Sequence, residues 1–284
     1  ARELNLSQPA ITKSVRALEK SVGVPLFERT AQGTVLNHLG ERFLARAELA
    51  MHELARGKDE LAQLAGDTGG RVAVALSGTP ALLFLPPALK AFRQRFPKGH
   101  VRIVEGLLPV MLPGLRDGSL DFALTPLPAQ ALGSEFTSIG LLSGRRTVIC
   151  RQGHPLAHAT SLAQLLDAQW ILTGAAGPRS AEFDEPFHAH GLPAPRAAVT
   201  CESLIALVSL LAGSDLLAFL PEQWANLPII SHSLCRIGVR ERISAPTISL
   251  VRRAGLPLAP AAEALADALA REAAYAARLQ GSDC

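Results

Sequence analysis

After Gly70 the chain alternates short apolar runs with helical segments, and no other feature narrows the possible folds as much. Arg71–Leu76, continuously apolar from Val72, is a run of strand length, followed by a helical stretch from Leu82 to Phe96 with Leu85, Leu89, Phe92 and Phe96 on one stripe. Val101–Glu105 reads as the next strand, residues 110–117 as a helix, and Leu120–Thr125 as a third strand. Strand, helix, strand, helix, strand implies a parallel sheet covered on both faces, because parallel neighbours need crossovers that lie across the sheet. A second unit repeats the plan. Its strands are Arg146–Cys150, Trp170–Thr173, Arg196–Thr200 and Leu216–Leu220, and its helices are Ser161–Leu166, Ala181–His190 and Glu202–Ala212. A strand at Pro246–Val251 and a helix from Pro260 to about Leu279 close the chain. The fold class is therefore α/β.

The first forty residues obey a different rule. Ser7 is suited to cap a helix, since its hydroxyl can accept an orphan N–H of the first turn. Pro9 stands where a missing N–H costs little, and Gly23 closes the helix. Ile11, Val15, Leu18 and Val22 form one apolar stripe, while Gln8, Thr12, Lys13, Arg16 and Lys20 occupy the opposite face. Arg2–Leu6 reads as the end of another helix plus a turn. A turn leading into a helix with a polar outer face suits a helix-turn-helix reader, because an α-helix fits the major groove. The same periodicity is equally that of an ordinary amphipathic surface helix.

The residues themselves separate the two. Leu6-Ser7-Gln8-Pro9-Ala10-Ile11-Thr12, then Leu18-Glu19, then Gly23-Val24-Pro25-Leu26-Phe27-Glu28-Arg29 closely resembles the LysR-type transcriptional regulators, whose pattern reads S-Q-P-A-[IVL]-[ST] … L-E … G-x-x-L-F-x-R. The match continues through Gly33, Leu36 and Gly40, with one departure: Leu36-Asn37-His38-Leu39-Gly40 stands where the family has L-T-x-A-G. Asn37 can cap a helix as Thr would. The resemblance implies a winged helix-turn-helix over residues 1–36, with Ser7, Gln8, Pro9, Thr12 and Arg16 facing promoter DNA and Arg29 and Thr30 at the wing. Lys13 and Lys20 would add salt-dependent phosphate affinity without sequence choice. Ala1 falls inside a helical pattern, so the first helix of that domain and most of the second are expected upstream of this numbering; nothing at this end resembles a signal peptide.

From residue 37 to 66 helix formers dominate and proline is absent. Leu39, Phe43, Ala47, Ala50, Leu54, Leu61 and Leu64 trace an apolar stripe, which Gly57 weakens. The stripe can pack on its own domain, but the resemblance supplies a second copy as partner and, beyond that, a dimer of dimers, with RNA polymerase a further contact. Residues 67–70 then form a hinge. The remainder of the chain is similar to the two-lobed, periplasmic-binding-protein-like effector module of the same family. Lobe I would comprise 71–151 and 243–284, and lobe II 152–242.

Ligands of open α/β sheets sit beyond the strand C-termini, here between the lobes. Ser77, Gly78, Thr79 and Pro80 form one such end, with Gly106, Leu107 and Thr125 on the neighbouring strands. Lobe II would contribute Thr173, Gly174, Cys201, Glu202, Ser203, Phe219 and Pro221. Hydroxyls beside helix N-termini make an anion cradle, which points to a small anionic effector, an aromatic or unsaturated acid; each hydroxyl could equally be a plain helix cap.

A chain of 284 residues with 48% apolar and 19% charged residues is globular, not disordered. Every long apolar run is broken by Pro, Gly or a charge, so no transmembrane segment and no membrane partner are expected. Cys150, Cys201, Cys235 and Cys284 stand far apart with no C-x-x-C pair, as reduced thiols of a cytoplasmic protein would. No Gly-rich phosphate loop, nucleophile elbow or H-E-x-x-H motif is present. His154 and His158 flank Pro155 in a loop, a poor start for a metal site. The sequence thus suggests no catalytic residue, no metal and no cofactor beyond the effector. A solute-binding protein or an enzyme on the same scaffold would leave the recognition helix unexplained.

Overall fold

The computed structural model describes residues 7–31, 33–127, 132–174 and 180–281, so the turn expected at Arg2–Leu6 and Cys284 lie outside the described residues. Helix α1 spans Gln8–Val22, with Ser7 Oγ accepting from the Ala10 N–H and Gly23 closing it at φ +79°. Strands β1 (Phe27–Thr30) and β2 (Gly33–Leu36) pair antiparallel as a small wing. Glu19 ties helix to wing, its Oε1 accepting the N–H groups of Leu26 (2.8 Å) and Phe27 (3.2 Å).

Helix α2 (His38–Leu64) opens on Asn37, whose Oδ1 accepts the Gly40 N–H at 2.9 Å while its Nδ2 donates to Pro25 O. Gly40 is required here: a Cβ on it would lie 2.1 Å from Leu26 O. The outer side of α2 leaves Met51, Leu54, Leu61 and Leu64 at least 69% exposed. Its inner side is fastened to the next module. Arg56 donates to the carbonyls of Gly118 (2.7 Å) and Leu120 (2.8 Å) and pairs with Asp121 at 2.9 Å. His52 donates to Asp117 O, Glu53 pairs with Arg253, and Gln63 Oε1 accepts the Ala261 N–H.

Beyond the turn at 65–70 come β3 (Arg71–Leu76), a π-turn over Pro80–Phe84 running into α3 (Leu85–Arg95), β4 (His100–Glu105), α4 (Leu108–Arg116) and β5 (Phe122–Leu127). The sequence pattern predicts a single helix from Leu82. The π-turn has a physical reason: Pro86 and Pro87 lack N–H groups and crowd the carbonyls one turn back, and a widened turn relieves both. The long β6 (Phe136–Arg151) is next, then β7 (Gln169–Thr173), α5 (Ala181–His188), β8 (Ala197–Cys201), α6 (Leu204–Gly213), β9 (Leu216–Pro221), the short α7 (Pro228–Ser231), β10 (Leu234–Ile237), β11 (Ile243–Arg253) and α8 (Pro260–Gly281).

These strands make one sheet in the order β4-β3-β5-β11-β6-β9-β7-β8, with β10 on β6. Strands β4, β3 and β5 are parallel, as are β8, β7 and β9. Strands β6 and β11, by contrast, run antiparallel to each other and to their other neighbours, so the second unit does not begin by repeating the first. Leu142 packs in a core with Phe84, Phe92 and α8, whereas Val148 packs in another with Trp170, Phe183, Phe187 and Phe219. The passage between lobes therefore falls inside β6, earlier than residue 151. Ile243, at the start of β11, is likewise buried in the second core. Among the described residues no helix is long and apolar enough to cross a membrane.

Candidate functional site

Two surfaces bring the singled-out residues together. On α1, Gln8, Pro9, Thr12, Lys13 and Arg16 are exposed and line one shallow depression. Their spacing places them on the side opposite Ile11, Val15 and Val22. Ser7 serves as the cap at the mouth of this face, and the Thr12 hydroxyl donates back to Gln8 O at 3.0 Å. Arg29 and Thr30 lie apart from the groove on the exposed wing, where Thr30 Oγ1 donates to Gly33 O.

The second surface is a cleft of about 990 Å³, solvent at its mouth included, between the strand ends of the two lobes. Of the expected residues, Ser77, Gly78, Thr79, Gly106, Leu107, Thr173, Gly174, Cys201, Glu202, Ser203, Phe219 and Pro221 all line it. Pro80 and Thr125 do not. Pro80 turns into the π-turn and is buried, and Thr125 is fully buried beneath the strand end with its hydroxyl towards Pro126 O, leaving Pro126 at the wall.

The three buried or capping hydroxyls differ in their partners. Ser203 Oγ caps α6 through the Ala206 N–H, and Thr79 Oγ1 accepts from Trp224 Nε1 at 3.0 Å. Ser77 is only 2% exposed, and its Oγ has no hydrogen-bond partner among the described residues. A buried hydroxyl without a partner is uncommon, and this one lies in the wall of the cleft. Trp224 also explains Gly78: a Cβ there would lie 2.8 Å from the indole ring.

Arg146 and Trp224 are the most consequential of the lining residues that sequence reasoning missed. Arg146, with a side chain 12% exposed, stands at the point in β6 where the lobes meet. Its guanidinium donates to Ser244 O at 2.9 Å, pairs with Glu182 at 2.9 Å and stacks over Phe219. Burial lowers its pKa from the ordinary value, and Glu182 and then Glu185 oppose that shift. The signal for it was a pair of arginines directly before the buried run Thr147–Cys150. Leu107, Leu142, Leu204, Leu207, Leu220 and Ile248 make the rest of the wall largely apolar, while Glu105 and Glu202 are exposed.

His154 is a loop staple in this structure, its Nδ1 accepting the Leu156 N–H and its Nε2 facing Asp215 O. No group of three or more metal-ligating side chains occurs among the described residues.

Comparison with known proteins gives this arrangement a family. Residues 65–274 match the LysR substrate binding domain, and residues 1–41 match the bacterial regulatory helix-turn-helix of the lysR family. The HTH-type transcriptional regulator GalR of Pseudomonas putida is 31% identical over 266 residues, covering 93% of this chain and 67% of that protein. The crystal structure of full-length CbnR complexed with its target DNA superposes with a TM-score of 0.68 at 25% identity, covering 96% of this chain and 92% of that one. The effector-binding domain of QuiR in complex with shikimate has the same fold as the second module, with a TM-score of 0.60 at 17% identity over 72% of this chain and 96% of its own. The family is one of transcriptional regulators, not enzymes, with a DNA-binding helix-turn-helix and an effector-binding domain. The chain belongs to the LysR family of transcriptional regulators.

Proposed function

We propose that the chain regulates transcription in response to a small aromatic or unsaturated acid held in the cleft between its lobes. The observation that carries this reading is the unpartnered hydroxyl of Ser77, buried at the C-terminal end of β3 beside the first turn of a helix. First-turn N–H groups and a hydroxyl donor favour an anion there. The acid group sits against Ser77 with Arg146 as the nearby cation, and the ring or unsaturated body lies on Phe219, Trp224 and the leucines. Glu105 and Glu202 at the exposed rim select ligands that present hydroxyl donors outward. QuiR, whose effector domain was solved with shikimate, binds a hydroxylated unsaturated acid, and that supports the same ligand class here. No further cofactor or metal takes part.

At the other end, Gln8, Pro9, Thr12 and Arg16 read the major groove of promoter DNA, Ser7 and Lys13 contact its backbone, and Arg29 and Thr30 add wing contacts. The exposed stripe of α2 pairs with a second copy, two such dimers form a tetramer, and RNA polymerase is contacted at the promoter. Effector binding biases the assembly between two arrangements on DNA.

The test is thermal unfolding of the chain against a panel of aromatic and dicarboxylic acids, each paired with its neutral amide. A ligand at about 100 times its dissociation constant raises stability by roughly 2.7 kcal/mol. Acids are expected to stabilise and amides to fail. Replacing Arg146 by Met is expected to weaken acid binding on the order of tenfold to a hundredfold, the worth of a charge-assisted hydrogen bond. Equal stabilisation by acid and amide would sink the anionic reading.

A further inference from the structure

Cys150 and Cys235 occupy directly opposed positions on antiparallel β6 and β10. Their sulfur atoms are 3.5 Å apart, and both thiols are free. Opposed antiparallel residues sit about 4.5–5.5 Å apart at Cα, inside the span that a disulfide accommodates. To bond, the two sulfurs must close from 3.5 Å to about 2.05 Å. The sequence showed nothing of this, since 84 residues separate the two positions.

We propose that Cys150 and Cys235 form an oxidisable dithiol, a covalent modification site in lobe II that a low-molecular-weight disulfide closes into a cystine. The two thiols have different parts. Cys150 is fully buried, and burial, helped by its neighbour Cys235, pushes its thiol up to about 12, so it stays protonated and does not start the reaction. Cys235 is half-buried, and its thiol donates to Arg151 O at 3.3 Å. Cys235 therefore attacks first. Its sulfur bonds to one sulfur of the oxidant R–S–S–R, that S–S bond breaks, and R–SH leaves with the Cys235 proton. The Cys150 sulfur then attacks Cys235 in the mixed disulfide and displaces the second R–SH, which carries the Cys150 proton. The chain loses two electrons and two protons, and the oxidant becomes two thiols.

Cys201 has no part in the pair. It lies on β8, separated from β6 by β9 and β7, with its thiol donating to Ser203 O. The new bond would anchor β10, a four-residue strand whose strand pairing among the described residues is with β6, to the strand that also carries Arg146.

The experiment treats the intact chain with glutathione disulfide, blocks remaining thiols with N-ethylmaleimide, and maps non-reduced peptides by mass spectrometry. Expected is one cross-linked pair joining the Cys150 and Cys235 peptides, lighter by two hydrogens, with Cys201 alkylated and reversal by dithiothreitol. Oxidation should also raise the melting temperature, and that rise should vanish in both Cys235→Ser and Cys235→Ala, which change the half-buried partner and leave the core thiol in place. The proposal is overturned if Cys235 stops as a glutathione adduct or remains alkylated. Pairing of either residue with Cys201 or Cys284 also overturns it.

Discussion

Two glycines in α2 receive the same substitution with opposite results. At Gly40 an added methyl would meet Leu26 O at 2.1 Å and Leu36 Cδ2 at 2.8 Å. The first obstacle is backbone, so relief requires α2 to lift from the loop before the wing. That lift strains the Asn37 cap on the Gly40 N–H and the Asn37 N–H bond to Leu26 O. A lost cap costs about 1 kcal/mol and overpacking about 1–3 kcal/mol, together about 2–4 kcal/mol. At Gly57, in the same helix, a Cβ meets nothing within 4 Å, and Gly→Ala in a helix interior stabilises by about 0.5–1 kcal/mol. Hydrogen exchange reads both locally. In Gly40→Ala the Asn37, Gly40 and Glu41 amides should exchange on the order of 30- to 700-fold faster, the conversion of that energy, while amides of β3 and β5 keep their protection. In Gly57→Ala the amides of α2 should slow severalfold. Unchanged protection at Asn37 and Gly40 in Gly40→Ala would refute the steric argument, and equal behaviour of the two variants would refute the distinction between them.

Two further expectations concern the reading helix and the helix–lobe junction. Replacing Arg16 by Ala should lower affinity for promoter DNA by about 1–3 kcal/mol and relax base preference at the position it reads, measured by binding to operator variants. Ligand-induced stabilisation should be untouched, and its loss with DNA affinity intact would count against the assignment. Asp121 is pushed above its ordinary pKa chiefly by burial, with Arg56 and the Ala73 N–H pulling the other way. The folded chain then keeps the Asp121 proton to higher pH than the unfolded chain. Its contribution is full below the unfolded value and is lost as pH rises through the folded one. Asp121→Asn should therefore gain stability relative to the parent chain as pH rises from the acid limit towards neutral, measured by denaturant titration at several pH values. A gap moving the other way would mean that the Arg56 pair outweighs burial.

What could be read from the sequence was what local chemistry decides. Ser7, Pro9 and Gly23 bound α1 within one turn of chain, and the apolar runs of β3 and β9 are buried as their composition demands. The first half of β6 escaped because Gly140, Ser143 and Gly144 give it the composition of a loop, and it gains strand pairing only from distant β11. Strand β10 is too short to show a period. The cleft was legible as a set of strand ends, but Thr125 and Pro80 show that a strand end alone does not decide which side chains face outward. Arg146 and Trp224 belong to the site because of contacts with Glu182 and Thr79, across sequence separations of 36 and 145 residues that no local pattern encodes.

The unbroken sheet has a mechanical consequence. Because β6 and β11 run through both lobes, the lobes are joined by a two-stranded ribbon and not by a slack tether. Such a ribbon behaves as a leaf spring: it resists stretching and twisting and yields most readily where its ladder is already interrupted. The interruptions lie in β11 between Ala245 and Ile248 and between Ile248 and Ser249, where the register shifts, and Pro246 offers no N–H. Ala245, Pro246 and Ile248 line the cleft. The compliant point of the spring and the wall of the cleft are therefore the same few residues, and an occupant of the cleft would lie against the flexure.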